Sequence, residues 1–427
     1  MTSANCKPDD DQRRLSALYV VALYILVMAT LPLWIGRSDF PKIPIVSGLI
    51  ATPAWIDLAL LVAFQVVPFC FLRSGSTRTL SAVATVFVIT STLLNQHRIQ
   101  VWAYHLCIAG LIASFSDRER VLSRLRWLTI GIYAWSALSK FDLGFVNGPG
   151  RTLWEGLLAA VRFDASVLPA GVNQAAPWLM PAGELAAALA LAIPRWRRLG
   201  LWFSITMHLV LLLAVGPLGL GHEAGVQIWN GLFIIQNLIL FRRCGPQEAT
   251  EHAAEVREKP GFFGEAGPLN ADSAMAGLLA FVLTMPALQP WNYWDVWPSW
   301  AVYSARGGWT TIFVHHDDIE RLPPAAARFV GEPAPLSDWH PVDIDAWSLA
   351  ELHCPVYPQP RFRLAIAAAL SKETRIQVER RSPPDRWTGK SSIETVEISG
   401  GRLPKGVERE FWLNVTGRSV ADAASVR

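Results

Sequence analysis

The sequence predicts a polytopic α-helical membrane bundle of about nine spans, followed by a small C-terminal extracytoplasmic α+β domain. Three observations predict this fold class. Of the 427 residues, 52% are hydrophobic and 17% are charged, which is atypical of a soluble chain. Apolar stretches long enough to cross a bilayer recur up to residue 288. Past Pro290 they give way to short alternating segments broken by proline and glycine.

Nine apolar stretches are expected to span the membrane as helices, because a hydrocarbon core of about 30 Å needs about 20 apolar residues. They lie at 15–35, 54–72, 80–95, 102–115, 127–145, 177–193, 199–217, 224–241 and 271–288. The fourth stretch is short, so a re-entrant hairpin of the third and fourth stays open. The first follows Arg13 and Arg14 as a signal peptide would. No small-residue cleavage site follows it, which indicates a retained anchor.

These stretches define the predicted domains. Residues 1–289 form a transmembrane helical domain, with a core at about 15–241, a cytoplasmic linker at 242–270 and a last span at 271–288. The linker is predicted from its polar, glutamate-rich composition. Residues 290–427 form the predicted extracytoplasmic domain.

Lysine and arginine are unevenly distributed between the predicted loops. If the N-terminus is cytoplasmic, 16 of them fall in cytoplasmic segments and 5 in the short loops on the opposite side. This bias predicts a cytoplasmic N-terminus, and an odd number of spans then places the C-terminal domain outside the cytoplasm. The arginine-rich cytoplasmic loops explain the formal net charge of +3. No basic stretch is interleaved with aromatic residues, so nucleic acid is not an expected partner.

The residues after Pro290 predict three strands and two short helices. Alternating apolar residues indicate strands at 309–315, 376–380 and 393–398, and helices are expected at 322–330 and 360–371. An aromatic cluster precedes them and is expected to pack this domain on the membrane, because tryptophan and tyrosine concentrate at bilayer interfaces. Its members are Trp291, Tyr293, Trp294, Trp297, Trp300 and Tyr303.

Neither a disulfide framework nor a metal site is expected. The five cysteines lie in different predicted compartments, so they are not expected to pair. Cys6 and Cys244 lie in cytoplasmic segments, Cys70 and Cys107 in spans, and Cys354 in the C-terminal domain. The densest group of possible ligands is the His-His-Asp-Asp run at 315–318. Adjacent side chains of an extended segment point to opposite sides, which favours a solvated turn there.

Lys140 is the most informative polar residue, because it lies near the end of the apolar stretch 127–145. A charge within hydrocarbon is costly, so such a lysine usually faces a bundle interior and marks a functional site, where burial favours its neutral, basic form. The alternative is a lysine that snorkels to the head-group layer, since Asp142 follows. The amphipathic segment 154–162 comes next, and either covers a pocket or is a plain connector.

Other polar residues interrupt the predicted spans. Asn95 and His97 lie at the outer ends of the third and fourth, where a turn at head-group level is the alternative. Glu184 lies mid-span and is expected to pair with Lys140 or His208, and for His208 a packing role is the alternative. Together such groups predict one cavity near the outer leaflet. The candidate catalytic residues are Lys140, His97 and His208, and the candidates for binding a cofactor are Asn95, Glu184, Trp135 and Asn230.

Residues 133–148 resemble a segment of the vitamin K-dependent γ-glutamyl carboxylases and of the related bacterial HTTM membrane proteins. In those families an Ala-Gly-x-Lys-Lys-Leu-Asp-x-Asp-Trp-x-x-Gly pattern carries the essential lysine, and Lys140 falls on its second lysine, with Ser139 at the first. Asn95-Gln96-His97 resembles the Asn-His element of these families, and His208 resembles the histidine of a later span. Residues 184–198 are also similar to DoxX and MauE-type membrane proteins.

The carboxylase resemblance implies that Lys140 deprotonates a reduced, vitamin K-like quinone, whose oxygenation yields a strong base for carboxylation of a peptide glutamate. The leading hypothesis is therefore an integral protein of the bacterial inner (plasma) membrane that binds a quinone- or lipid-like ligand near Lys140. As an enzyme it would be a carboxylase-like lyase or a quinone-linked oxidoreductase. The alternative is a non-catalytic DoxX-type membrane protein that supports a protein or peptide partner through its outer domain. Membrane lipid is an expected partner in both cases.

Overall fold

The computed structural model of the chain describes residues 8–36, 39–72, 76–242, 270–307 and 309–418. Residues 243–269 of the predicted cytoplasmic linker lie outside this description, as do Cys6, Cys244 and the side chain of Cys70. Within the described residues, helices dominate up to residue 291 and a sheet follows.

Helices form from the continuous apolar runs, because in lipid the backbone polar groups of a span find their partners within the helix. In chain order the helices are α1 (Pro8–Ala29), α2 (Leu31–Ile35), α3 (Ala54–Leu72), α4 (Thr77–Leu94), α5 (Val101–Phe115), α6 (Arg118–Leu138), α7 (Leu143–Asn147), α8 (Pro149–Ala160), α9 (Ala170–Ala175), α10 (Leu179–Ala192), α11 (Arg197–Val215), α12 (Ala224–Phe241) and α13 (Ala271–Thr284). Short 3₁₀ segments join several of them, such as Gln96–Arg98 between α4 and α5.

Six helical stretches of the described chain are long and apolar enough to cross a membrane. They are Asp10–Ala29, Thr77–Leu94, Ala170–Ala192, Pro194–Val215, Ala224–Phe241 and Ala271–Trp291. Two shorter apolar helices, Ala54–Val66 and Val101–Phe115, add to them. The protein is therefore an integral membrane protein with helices in contact with lipid. The count of nine spans is not confirmed. The fifth was expected at 127–145, but α6 ends at Leu138, and the nine residues that precede Trp127 in this helix include four arginines, which are costly in hydrocarbon.

The chain forms two compact units. The first comprises Met1–Tyr24, Phe71–Thr85 and His105–Ser304, and the second comprises Ile25–Cys70, Val86–Tyr104 and Ala305–Arg427. In the first unit α10 packs between α6 and α11, α12 contacts both α11 and α6, and α13 contacts α6. The domain boundary that the sequence places at residue 290 stays a prediction.

The second unit holds a four-stranded antiparallel sheet of order β2-β1-β3-β4. Its strands are β1 (Trp309–His315), β2 (Trp339–Val342), β3 (Ile376–Arg381) and β4 (Ile393–Ile398). Ile312 of β1 pairs with Val342 and with Val378, so these buried side chains share one apolar face. Four helices accompany the sheet: α14 (Pro324–Ala327), α15 (Ile344–Leu352), α16 (Pro360–Leu370) and α17 (Lys405–Glu408). The buried helix α16 contacts β1 and β3.

The strand predictions in the C-terminal region are confirmed. Strands at 309–315 and 393–398 have the predicted bounds, and the one predicted at 376–380 extends by one residue. The helix predicted at 322–330 is reduced to Pro324–Ala327. Its later start follows from Pro323 and Pro324, because neither can donate a hydrogen bond within an earlier turn. Strand β2 and helix α15 were not predicted. Strand β2 has four residues and contains Pro341, so its alternation is too short to recognise.

The predicted aromatic cluster at 291–303 does not form one exposed surface. Trp300 is fully buried and Trp297 is nearly so, whereas Trp291 and Tyr293 are 67% and 73% exposed. The exposed pair has the accessibility that a residue at the bilayer interface requires.

Candidate functional site

Three polar side chains project from one face of α6 and from the turn that follows it. Tyr133, Ser136 and Lys140 are spaced by three and four residues, which is the repeat of one helix face, and all three are buried. Helix α6 ends at Leu138, and Asp142 then accepts a hydrogen bond from Phe145 N at 2.7 Å, which caps α7. This cap helps to define the turn that carries Lys140.

Lys140 pairs with Glu184 of α10. Its ammonium donates to Glu184 Oε1 at 2.7 Å, to Glu184 Oε2 at 2.8 Å and to Ser136 Oγ at 2.6 Å. Lys140 is 4% exposed and Glu184 is 7% exposed, so the protein itself encloses the pair. Of the two partners expected for Glu184, Lys140 and His208, the structure therefore shows Lys140, and this lysine does not snorkel to the head-group layer.

The geometry uses all three N–H donors of the Lys140 ammonium. With these three contacts made, the Lys140 side chain has no N–H group left to donate to a ligand. A buried ion pair gains little over apolar packing, but removal of one partner leaves an uncompensated charge and costs about 3–5 kcal/mol. As it stands, the arrangement holds the end of α6 against α10.

Both ring nitrogens of His208 of α11 are engaged in hydrogen bonds. Its Nδ1 is 2.8 Å from Asn230 Oδ1, and its Nε2 is 2.7 Å from the Tyr133 hydroxyl. Because an amide oxygen only accepts, Nδ1 carries the proton and Nε2 accepts from Tyr133. Asn237 Nδ2 donates to the Tyr133 oxygen at 2.6 Å. The network joins α6, α11 and α12, which matches the packing role that the sequence left open for His208.

Phe233 of α12 lies between two histidine rings of the first unit. Its ring centroid is 5.0 Å from that of His105 and 4.9 Å from that of His208, with interplanar angles of 2° and 7°. Trp229 Nε1 donates to His105 Nδ1 at 3.2 Å. His105, which falls within the predicted fourth span, is thus buried among the helices of this unit. A histidine within α5, one helix turn after Trp102, was the available signal.

Trp135 contacts a different helix from Lys140. Its indole Nε1 donates to Leu283 O of α13 at 2.9 Å. Asn95 and His97 belong to the second unit, whereas the other candidates belong to the first. The structure therefore brings together two pairs of candidates in the first unit, and the catalytic or cofactor-binding roles of all seven stay predictions.

His97 is fully buried in the second unit. Asn95 Oδ1 accepts from His97 N at 3.1 Å and so caps the 3₁₀ segment between α4 and α5. His97 Nε2 is 3.0 Å from Pro355 O and donates to it, and the imidazole lies between the rings of Phe40 and Phe362. Burial lowers the pKa of His97 to about 4, so the ring is neutral at pH 7.

A buried ion cluster in the second unit was missed by the sequence analysis. Asp57, in the first turn of α3, forms ion pairs with Arg98 and Lys42. Arg98 also donates to three backbone carbonyls, and both Arg98 and Asp57 are 1% exposed. The signal was a lone carboxylate at the start of an apolar stretch, which is costly unless a cation pairs with it.

Among the described residues, no group of three or more histidine, cysteine, aspartate or glutamate side chains is placed to hold a metal ion. In the run 315–318, Asp318 accepts from Arg375 N at 2.9 Å and Arg375 Nε at 2.8 Å, and from Arg321 Nη1 at 2.9 Å. These hydrogen bonds, chiefly those from Arg375, lower the pKa of Asp318. The carboxylate is therefore engaged in ion pairs at the end of β1.

The amphipathic segment predicted at 154–162 lies mostly within α8, which packs on α11. Trp154 Nε1 donates to Asn173 Oδ1 at 3.0 Å. Gly156 lies so close to Leu220 that a Cβ atom would meet its side chain at 2.5 Å. This close packing suits a connector between helices, and the role of a cover stays a prediction.

A comparison with protein families matches part of the first unit. Residues 118–221 match the family model of methylamine utilisation protein MauE. No curated protein matches the chain, and no solved structure matches it. The matched region contains Lys140, Glu184 and His208. The comparisons support the similarity to DoxX/MauE-type proteins that residues 184–198 predicted, and none of them supports the HTTM or carboxylase resemblance. Over residues 118–221 the chain is therefore similar to MauE-type membrane proteins.

Proposed function

We propose that the protein is a non-catalytic membrane protein of DoxX/MauE type, which supports a protein partner through its C-terminal domain. The observation that carries this proposal is the closed ion pair of Lys140 and Glu184, whose charged atoms are used within the bundle. His208 is likewise engaged by Tyr133 and Asn230. Polar side chains that hydrogen-bond to one another within the bundle are more typical of a structural contact between helices than of a ligand site. The MauE match covers this same helical region.

The C-terminal region has an exposed apolar surface suited to a partner protein. Trp309, Trp387 and Ile393 are 61%, 75% and 56% exposed. Trp309 and Ile393 both pair with Arg381, so they lie at one end of the sheet, and Trp387 is in the loop that joins β3 to β4 at that end. Exposed aromatic and aliphatic residues beside an arginine are typical of protein interfaces.

We further propose that the N-terminus is cytoplasmic and that residues 290–427 form an extracytoplasmic domain of a bacterial inner-membrane protein with nine spans. The distribution of 16 lysines and arginines against 5 supports this orientation. Single cysteines in a cysteine-free chain test it with a membrane-impermeant thiol reagent. A cysteine at position 387 is expected to react in intact spheroplasts, and one at position 195 only after lysis. The reverse pattern would show the opposite orientation.

The proposed partner is identified by photocrosslinking. A photoreactive residue at position 309 or 387 is expected to form the same protein adduct, and one at position 151 on α8 is the control. The captured partner is expected to lose abundance in cells that lack the chain.

Replacement of the ion pair by apolar residues then tests the proposed function. The variant Lys140→Met/Glu184→Leu should restore the abundance of the partner as well as the wild-type chain does, because no chemistry at Lys140 is required. Failure of this variant, although it is folded and inserted, would contradict the proposal.

The same two proteins separate a scaffold from a quinol-dependent carboxylase. Each is placed in lipid nanodiscs with reduced quinones, oxygen and labelled bicarbonate. The wild-type chain is expected to form no more quinone epoxide than Lys140→Met/Glu184→Leu. Epoxide formation that depends on Lys140 would contradict the non-catalytic proposal and favour the carboxylase hypothesis.

A further inference from the structure

The connection between α10 and α11 concentrates positive charge at the end of a membrane span. The 3₁₀ segment Pro194–Trp196 and the first turn of α11 carry Arg195, Arg197 and Arg198, where the candidate span Pro194–Val215 begins. Residues 185–222 contain no carboxylate. The three arginines therefore have no acidic neighbour along this part of the chain.

Two of these arginines are available for an external anion. Arg195 and Arg198 are exposed, and neither has an ion-pair partner among the residues that the structure describes. The Arg195 guanidinium lies over the Trp196 ring, 4.9 Å from its centroid. A guanidinium stacked in this way is held in place while its N–H groups stay free to donate at the edge.

An apolar strip continues from these arginines along α11. Leu199, Trp202 and Phe203 are 54%, 61% and 48% exposed. Arg198 and Trp202 are four residues apart, so they lie on the same face of the helix. In an integral membrane protein, exposed apolar side chains on a span contact acyl chains, and a tryptophan near the end of the span suits the interface.

We propose that Arg195 and Arg198 bind the phosphate of an anionic phospholipid, whose acyl chains lie along Leu199, Trp202 and Phe203. A guanidinium donates two parallel hydrogen bonds to a phosphate, and the positive end of α11 adds attraction for an anion. The headgroup of a zwitterionic lipid carries its own compensating cation, so the site prefers an anionic lipid. This inference rests on the membrane spans and is independent of the proposed partner.

Native mass spectrometry of the full chain in detergent tests the site, with titrations of phosphatidylglycerol and of phosphatidylcholine that have the same acyl chains. Phosphatidylglycerol is expected to bind more tightly. Arg195→Gln/Arg198→Gln should weaken its binding about 30-fold, because each arginine near an anionic lipid contributes about five-fold. Binding of phosphatidylcholine to this variant should match that of the wild-type chain.

Arg151→Gln is the matched control, because Arg151 is an exposed arginine on α8 that already pairs with Glu155 at 2.8 Å. It should keep the wild-type preference. The wild-type chain can also be measured at increasing salt concentration. Its preference for phosphatidylglycerol should fall as the salt concentration rises, since the site is exposed. Equal affinity of the wild-type chain for both lipids would overturn the proposal. So would equal phosphatidylglycerol affinity of Arg195→Gln/Arg198→Gln and Arg151→Gln.

Discussion

The ammonium of Lys140 donates to both carboxylate oxygens of Glu184, at 2.7 and 2.8 Å, and so ties the turn after α6 to the middle of α10. A family resemblance to carboxylases implied a free, neutral lysine at this position. In the structure both charges are enclosed and matched, with Ser136 as the third acceptor. The pair is therefore a structural contact between α10 and the turn after α6.

Replacement of one partner of this pair should be far more costly than replacement of both. Lys140→Met and Glu184→Leu are each expected to lower the free energy of unfolding by about 3–5 kcal/mol, because each leaves a buried charge unpaired. The double variant should recover most of this loss. Thermal unfolding of the purified proteins in detergent measures all three. A double variant as unstable as the sum of the single variants would show that the two side chains are not coupled.

The Tyr133 hydroxyl should contribute to stability through His208 and Asn237. Tyr133→Phe removes a donor to His208 Nε2 and an acceptor for Asn237 Nδ2, and is expected to cost about 1–3 kcal/mol because both partners are buried. Tyr293→Phe is the control in the same unit, since Tyr293 is 73% exposed. Equal unfolding temperatures for the two variants would contradict a structural role for the network.

Asp57 should stabilise the second unit more than an exposed carboxylate does. Asp57→Asn leaves Arg98 buried without a counter-charge, and is expected to cost about 3–5 kcal/mol. Asp345→Asn is the matched control, because Asp345 pairs with Arg363 at an exposed site and its loss should cost less than about 1 kcal/mol. Chemical unfolding of both variants checks this. A smaller effect at Asp57 than at Asp345 would contradict the assignment.

Gly36 should not tolerate a side chain. Its φ of +71° is rarely adopted by L residues, and a Cβ atom would collide with the carboxylate of Asp57. Gly36→Ala is therefore expected to destabilise the protein by more than about 1 kcal/mol. Gly48→Ala is the control, because nothing lies within 4 Å of its Cβ position. Unfolding temperatures of the two variants give the comparison, and similar values would contradict the collision.

The stability of the second unit should fall as pH drops from about 6.5 to about 4. Burial lowers the pKa of His97 from 6.5 to about 4, so over this range the unfolded chain binds a proton that the folded chain does not. The stability that the neutral His97 ring provides is fully present above pH 6.5 and is lost as pH falls towards 4. Unfolding of His97→Gln should depend less on pH in this range. His353→Asn, at an exposed position, should keep the wild-type dependence. An unchanged dependence in His97→Gln would contradict this origin.

Local patterns in the sequence predicted most of the secondary structure. Apolar stretches of the chain became helices, because a span in lipid has no other way to satisfy its backbone. Alternation at 309–315 and 393–398 became strands with the predicted bounds. The missed strand β2 is short and contains proline, and its pairing with β1, not its intrinsic pattern, makes it a strand.

The sequence by itself determined the class of the protein and the need of Glu184 for a partner, either Lys140 or His208, because an isolated charge in an apolar stretch requires an opposite charge nearby. The structure decided that this partner is Lys140. Only the tertiary structure decided that Asp57 binds Arg98, that Tyr133 donates to His208, and that the lysine is enclosed. Hydropathy is a local property that can be read along the chain. A hydrogen bond between residues 75 positions apart depends on how the helices pack, and no local pattern encodes that distance.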